Sequence, residues 1–126
     1  MYLLDTNIFL EILLGQNKEQ ECQEFINNNI GELAISDFSI YSIGIILFKN
    51  KLSKVFKDFI DDFLTMVRIS SLPLENYDEV ISLYNSATLD FDDSYHTALA
   101  QAFDFKVVTM DNDFKKVQDE IDIVFL

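Results

Sequence analysis

The chain has 126 residues with 22 acidic and nine basic side chains, a formal net charge of −13, which excludes gripping nucleic acid by general basicity, because phosphate neutralisation by Lys and Arg supplies most non-specific affinity. A single Cys22 excludes an internal disulfide and a thiolate metal cluster and agrees with a reducing compartment. With 12 Phe, three Gly and one Pro the sequence is neither low-complexity nor linker-rich, and its length predicts one domain over residues 1–126 that buries roughly two-thirds of its unfolded surface.

In chain order, the apolar run Tyr2-Leu3-Leu4 predicts a strand buried on both faces, stopped by Asp5-Thr6-Asn7. Asn7 to Leu14 reads as a helix capped by Thr6 or Asn7 and closed at Gly15, and a second helix runs from Asn17 to Asn28. "ELAIS" is the next strand, with Ser36 or Asp37 capping the helix after it. That helix, "FSIYSIGIILF", places Ser36, Ser39 and Ser42 in a stripe, with Phe38, Tyr41, Ile45 and Phe48 on another face. Its apolar surroundings predict burial in the core or in a subunit contact, and so point to a homodimer. The run Ile43 to Phe48 is too short to span a bilayer, and no export signal is visible, so a cytoplasmic, membrane-free protein is expected.

Leu52 to Leu64 is a further helix, "MVRIS" a third strand, Pro73 a turn, and Glu75 to Ser86 a helix with Tyr77, Val80, Ile81 and Tyr84 inward. "DDSYHTALAQAF" is helical, "KVVTM" a fourth strand, "NDFKKV" a helical turn and "IDIVFL" a terminal strand. Strands alternating with helices imply right-handed crossovers and a three-layer α/β/α sandwich with a mostly parallel central sheet. The lysines of "KNKLSKVFK", namely Lys49, Lys51, Lys54 and Lys57, are the one local cluster suited to an anion, although a solvated helix end and connector explains them better.

In such a sheet, strand carboxyl ends and the following helix amino ends share one edge, where ligands bind. Asp5, Asp37, Asp93 and the pair Asp111 and Asp113 all fall along it. Singly, Asp37 and Asp93 suit helix capping, and Asp111 or Asp113 suit a turn. Together, converging carboxylates repel and raise one another's pKa unless a cation neutralises them. Oxygen ligands without a Cys or His cluster favour Mg²⁺ or Mn²⁺ over Zn²⁺. A cation held this way suits phosphodiester hydrolysis. His96 stands alone and reads as an ordinary, partly buried side chain.

These residues resemble the PIN-domain family, and especially VapC-like ribonuclease toxins of bacterial toxin-antitoxin pairs. "LLDTNIFL" is similar to the family's opening strand with Asp5, Thr6 and Asn7. "DDSYHTALAQAFDFKVVTMDNDF" is similar to its later block, in which Asp93 rather than Asp92 is the site acid and Thr109, Asp111 and Asp113 form the turn. The resemblance implies a PIN-like fold, a Mg²⁺ or Mn²⁺ site and cleavage of RNA, with an antitoxin partner docking on the Ile40 to Phe48 helix or the lysine cluster. On this reading Asp5, Asp93 and Asp111 hold the metal and Asp113 assists. Thr6, Asn7, Ser42 and Thr109 position waters or phosphate oxygens, and Lys49, Lys51 and Lys54 are the candidates for contacting nucleic acid.

The pattern departs from the family at Ser42, which stands where a helix Glu is expected. Asp37 lies five residues earlier, roughly 140° around the helix, and reaches the rim only from the helix amino end. The alternative is therefore a catalytically degenerate module that keeps the fold and acts through protein or RNA binding. A receiver-type phosphoacceptor is disfavoured because "MVRISSLPL" has no acceptor Asp, and an Asp-x-Asp phosphatase because "DTN" has no second acid.

Overall fold

A computed structural model describes residues 1–126. Five parallel strands, β1 (Tyr2–Leu4), β2 (Leu33–Ser36), β3 (Arg68–Ser70), β4 (Lys106–Thr109) and β5 (Ile123–Phe125), form one sheet in the order β3-β2-β1-β4-β5. The chain first builds outward from β1 through β2 to β3, then crosses back to add β4 and β5 on the other side. This reversal opens a crevice at the carboxyl ends of β1 and β4, where open α/β sheets bind ligands.

The strands read as continuous apolar runs because each buries both faces. On one face Leu3, Ala34 and Val107 pack against Val80, Leu83, Leu99 and Phe114. On the other, Leu4, Leu33, Ile35 and Val108 meet Ile8, Phe9, Ile26, Ile43, Leu47 and Phe59. Adjacent residues of a strand thus serve opposite layers, as period-two alternation requires. The second layer is built from α1 (Thr6–Leu13), α2 (Glu19–Asn28), α3 (Asp37–Lys49) and α4 (Ser53–Asp62), and the first from α5 (Tyr77–Ala87) and α6 (Phe91–Phe103). Three short 3₁₀ segments, Leu64–Met66, Leu74–Asn76 and Asn112–Val117, complete the set. No helix is long and apolar enough to cross a membrane.

Three local expectations change. The cap of α1 is Asp5 itself, whose carboxylate accepts from the Thr6 N–H, rather than Thr6 or Asn7. Helix α2 begins at Glu19, two residues later than the sequence suggests. In α5, Val80 and Leu83 are the buried residues while Tyr77, Ile81 and Tyr84 are exposed. Apolar residues occupy two faces of that helix about 100° apart, so periodicity alone does not select which one meets the sheet.

In helix α3, which the sequence places in the core or in a subunit contact, the two faces separate. Ser39, Ile43 and Leu47 are buried, whereas Tyr41, Ile45 and Phe48 are 67%, 58% and 61% exposed. The serine side therefore faces inward, and the aromatic side lies outside the chain's own core. Ser36, not Asp37, caps α3 by accepting from the Ser39 N–H at 2.9 Å. Gly44 lets α4 approach closely, since a Cβ there would lie 3.3 Å from the Phe56 ring.

Candidate metal centre

Asp5 follows the last residue of β1, and its N–H still donates to the Val108 carbonyl at 2.9 Å. The sheet ladder thereby fixes the backbone that carries the carboxylate, and the residue is 5% exposed. Its Oδ1 accepts from the Thr6 N–H at 2.8 Å, and its Oδ2 accepts from the Thr109 hydroxyl at 2.8 Å. The Thr109 Oγ1 accepts from the Asp111 N–H at 2.9 Å, and Asp111 Oδ1 from the Asp113 N–H at 2.9 Å. One polar chain thus ties the tip of β1 to the turn after β4.

Three carboxylates converge beside it. One oxygen from each of Asp93, Asp111 and Asp113 lies within 4.8 Å of the others. Asp93 is buried in the first turn of α6, Asp111 is half-buried and Asp113 is exposed. Asp92, its neighbour, points to solvent. Asp5 is not one of the three converging acids, and Asp113, expected to assist, is.

The electrostatics follow from this crowding. Burial, reinforced by the charges of Asp92, Asp5, Asp111 and Asp113, pushes the Asp93 carboxyl up to about 8. Burial also acts to raise Asp5, but its interactions with His96, Thr109 and Thr6 outweigh that and hold it below the ordinary carboxylate value. A fixed anion beside a carboxyl that resists ionisation fits a hard cation, and the all-oxygen donors favour Mg²⁺ or Mn²⁺.

His96 is the residue that sequence reasoning underrated. It is fully buried, and its Nδ1 lies 3.4 Å from Asp5 Oδ1. Its Nε2 is 2.8 Å from the Ser36 Oγ and 3.2 Å from the Ser39 Oγ. The Ser39 hydroxyl also meets the Thr6 hydroxyl at 2.8 Å. A signal was present, since His96 stands one helical turn after Asp93 and Ser39 one turn after Ser36.

Other expected residues lie outside the cluster. Asn7 is exposed, and Ser42 is half-buried with no side-chain hydrogen bond. Asp37 accepts from the Phe38 N–H and from the Tyr95 hydroxyl at 2.7 Å, which anchors it away from the three acids. Lys49, Lys51 and Lys54 are exposed at the far end of α3 and beyond it. With its 1.5 Å rise per residue, α3 carries Lys49 about 18 Å from the rim.

The PIN domain family model matches residues 2–120. Among solved structures, the fold is similar to FitAcB from Neisseria gonorrhoeae, at 19% identity and a TM-score of 0.81, covering 100% of this chain and 97% of that one. It is similar to VapBC2 from Rickettsia felis bound to a DNA fragment from its promoter, at 18% identity and 0.78, covering 99% and 98%. It is also similar to VapC20 from Mycobacterium tuberculosis, described as a Sarcin-Ricin loop cleaving toxin, at 12% and 0.79, covering 91% and 93%. No curated protein matches the sequence. With a family match spanning nearly the whole chain and the matching parallel-sheet fold, this chain belongs to the PIN domain family.

Proposed function

We propose that the protein is a Mg²⁺- or Mn²⁺-dependent endoribonuclease, the toxin of a type II toxin-antitoxin pair. The observation that carries this reading is the convergence of Asp93, Asp111 and Asp113 within 4.8 Å at the sheet's crevice. Membership of the PIN family and likeness to a structure described as a cleaving toxin support it. Asp93, Asp111 and Asp113 would hold the cation, with Asp5 contributing from the β1 side. When bound, such a cation offers positive charge to phosphoryl oxygens and lowers the pKa of a coordinated water. The chain's own contribution is to hold these acids in place through Thr109 and the backbone amides.

Purified protein should cleave single-stranded RNA with Mn²⁺ or Mg²⁺, stop on chelation, and lose activity in Asp5→Asn and Asp93→Asn variants. Unchanged cleavage in both variants overturns the assignment. The second reading is a degenerate module, favoured by Ser42 standing half-buried where a Glu is expected. Mn²⁺ binding without RNA cleavage, with no gain from Ser42→Glu, would select it.

Two surfaces suit protein partners. Tyr41, Ile45 and Phe48 on α3 continue through Tyr77 and Phe91 to Ile81 and Tyr84 on α5, all exposed and mostly aromatic. We assign this strip to a second copy of the chain. A two-fold pairing would bury these exposed side chains against their own copies. A separate apolar cleft of about 350 Å³ lies between α1, α2 and α4, lined by Phe9, Ile12, Leu13, Phe63 and Met66 with Asp58 and Asp62 among its walls. It suits an apolar, basic-flanked antitoxin segment better than the lysine cluster does.

A further inference from the structure

We propose that His96 is a positioning residue for Asp5, holding its carboxylate so that one lone pair of Oδ2 faces the cation site. The inference rests on the metal-site reading above and deepens it. A carboxylate oxygen offers two acceptor directions. Of those on Oδ1, one is taken by the Thr6 N–H at 2.8 Å and the other is faced by the imidazole Nδ1 at 3.4 Å, short of a hydrogen bond. Oδ2 accepts from Thr109 alone, and Thr109 lies on the Asp111 side. One direction of Oδ2 therefore stays without a donor.

The ring cannot easily exchange its nitrogens. Ser36 and Ser39 hold Nε2, so Nδ1 is turned to Asp5. Phe38 and Tyr95 meet the imidazole edge-on, with centroids at 5.9 and 6.1 Å, and fix its plane. Nδ1 is one of two buried side-chain polar atoms with no hydrogen bond, yet it points at a site acid. Because a carboxylate only accepts, Nδ1 carries the hydrogen. An imidazole needed only for packing would be better replaced by an aliphatic side chain, since burying an incompletely paired polar atom is unfavourable. The 3.4 Å gap is long for a hydrogen bond, and contraction toward Asp5 would complete the contact.

Asn and Gln separate the two nitrogens. The amide nitrogen of Asn reaches the place of Nδ1, and that of Gln the place of Nε2. Titration calorimetry with Mn²⁺ on the full chain should show His96→Asn within about threefold of wild type, and His96→Gln and His96→Leu weaker by about tenfold to a hundredfold, the usual loss when an outer partner of a metal ligand is removed. The KM for RNA should stay unchanged while kcat falls in the Gln and Leu variants. Thermal unfolding of each variant separates folding loss from site loss, and if the Leu variant does not fold, the Asn and Gln pair decides.

Equal Mn²⁺ affinity in folded Asn and Gln variants overturns the inference. So does wild-type affinity in the Gln variant, and that result leaves the nuclease reading standing provided that Asp93→Asn still abolishes binding. Wild-type protein that binds no Mn²⁺ removes both.

Discussion

Asp93 and Asp5 are both nearly dry carboxylates in one crevice, yet their environments push them apart. Asp5 has donors on both oxygens, whereas Asp93 faces four other acids. The linkage sign follows. A carboxyl whose folded pKa is raised, here from 3.8 to about 8, binds its proton more tightly in the folded state, so metal-free stability should fall as pH rises between those values. Asp5, held low, contributes stability above the unfolded carboxylate range that is lost as pH falls through its folded pKa. Thermal unfolding in chelator should show the first trend between about pH 4 and 8, and millimolar Mn²⁺ should reverse it. Asp93→Asn should raise the metal-free Tm at pH 8 and abolish the Mn²⁺-induced rise. A lower Tm there would mean that crowding of charge is not what strains the site.

The element scale concerns caps. Ser36 closes the amino end of α3 and also binds the imidazole, so Ser36→Ala should cost about 1 to 2 kcal/mol in denaturant unfolding. A change below about 0.3 kcal/mol would show the cap bond to be replaceable by water. Thr88 ends α5 in the left-handed region with φ 57°. A β-branched residue is disfavoured there, and Thr88→Gly should stabilise by about 0.5 to 1 kcal/mol, read from the denaturant midpoint. The helices themselves were legible in the sequence because their apolar spacing and flanking Ser, Asp and Gly residues are local signals. Their inward phase was not always so. In α5 and α3 apolar residues cover more than one face, and only packing against the sheet selected Val80 and Leu83 over Tyr77 and Tyr84, and Ser39 and Ile43 over Tyr41 and Ile45.

For the whole molecule, the surplus apolar surface is the main consequence of that selection. Isolated exposed apolar side chains need no explanation, whereas a strip running over α3, α5 and α6 is what supports the proposed pairing with a second copy. At micromolar concentration the protein should sediment at twice its 14.6 kDa, and Ile45→Glu with Ile81→Glu should return it to the monomer mass with unchanged Tm. A wild-type monomer would remove the second copy as the occupant of the strip. The strand order is the other property of this scale. Because the chain reverses direction beside β1, Asp5 and the Asp111 turn end on neighbouring strands although more than a hundred residues separate them.

The amino-acid sequence by itself determined the alternating strands and helices, the acidic edge and the family resemblance, because each rests on periodicity, turn chemistry or a short motif within a few residues. Tertiary structure alone decided which acids meet, that Asp113 converges with Asp93 and Asp111 while Asp37 is held elsewhere by Tyr95, and that His96 is enclosed with Asp5, Ser36 and Ser39. Those outcomes depend on the order of strands and the rotation of helices on the sheet, which long-range burial of apolar faces settles and local residue patterns do not encode.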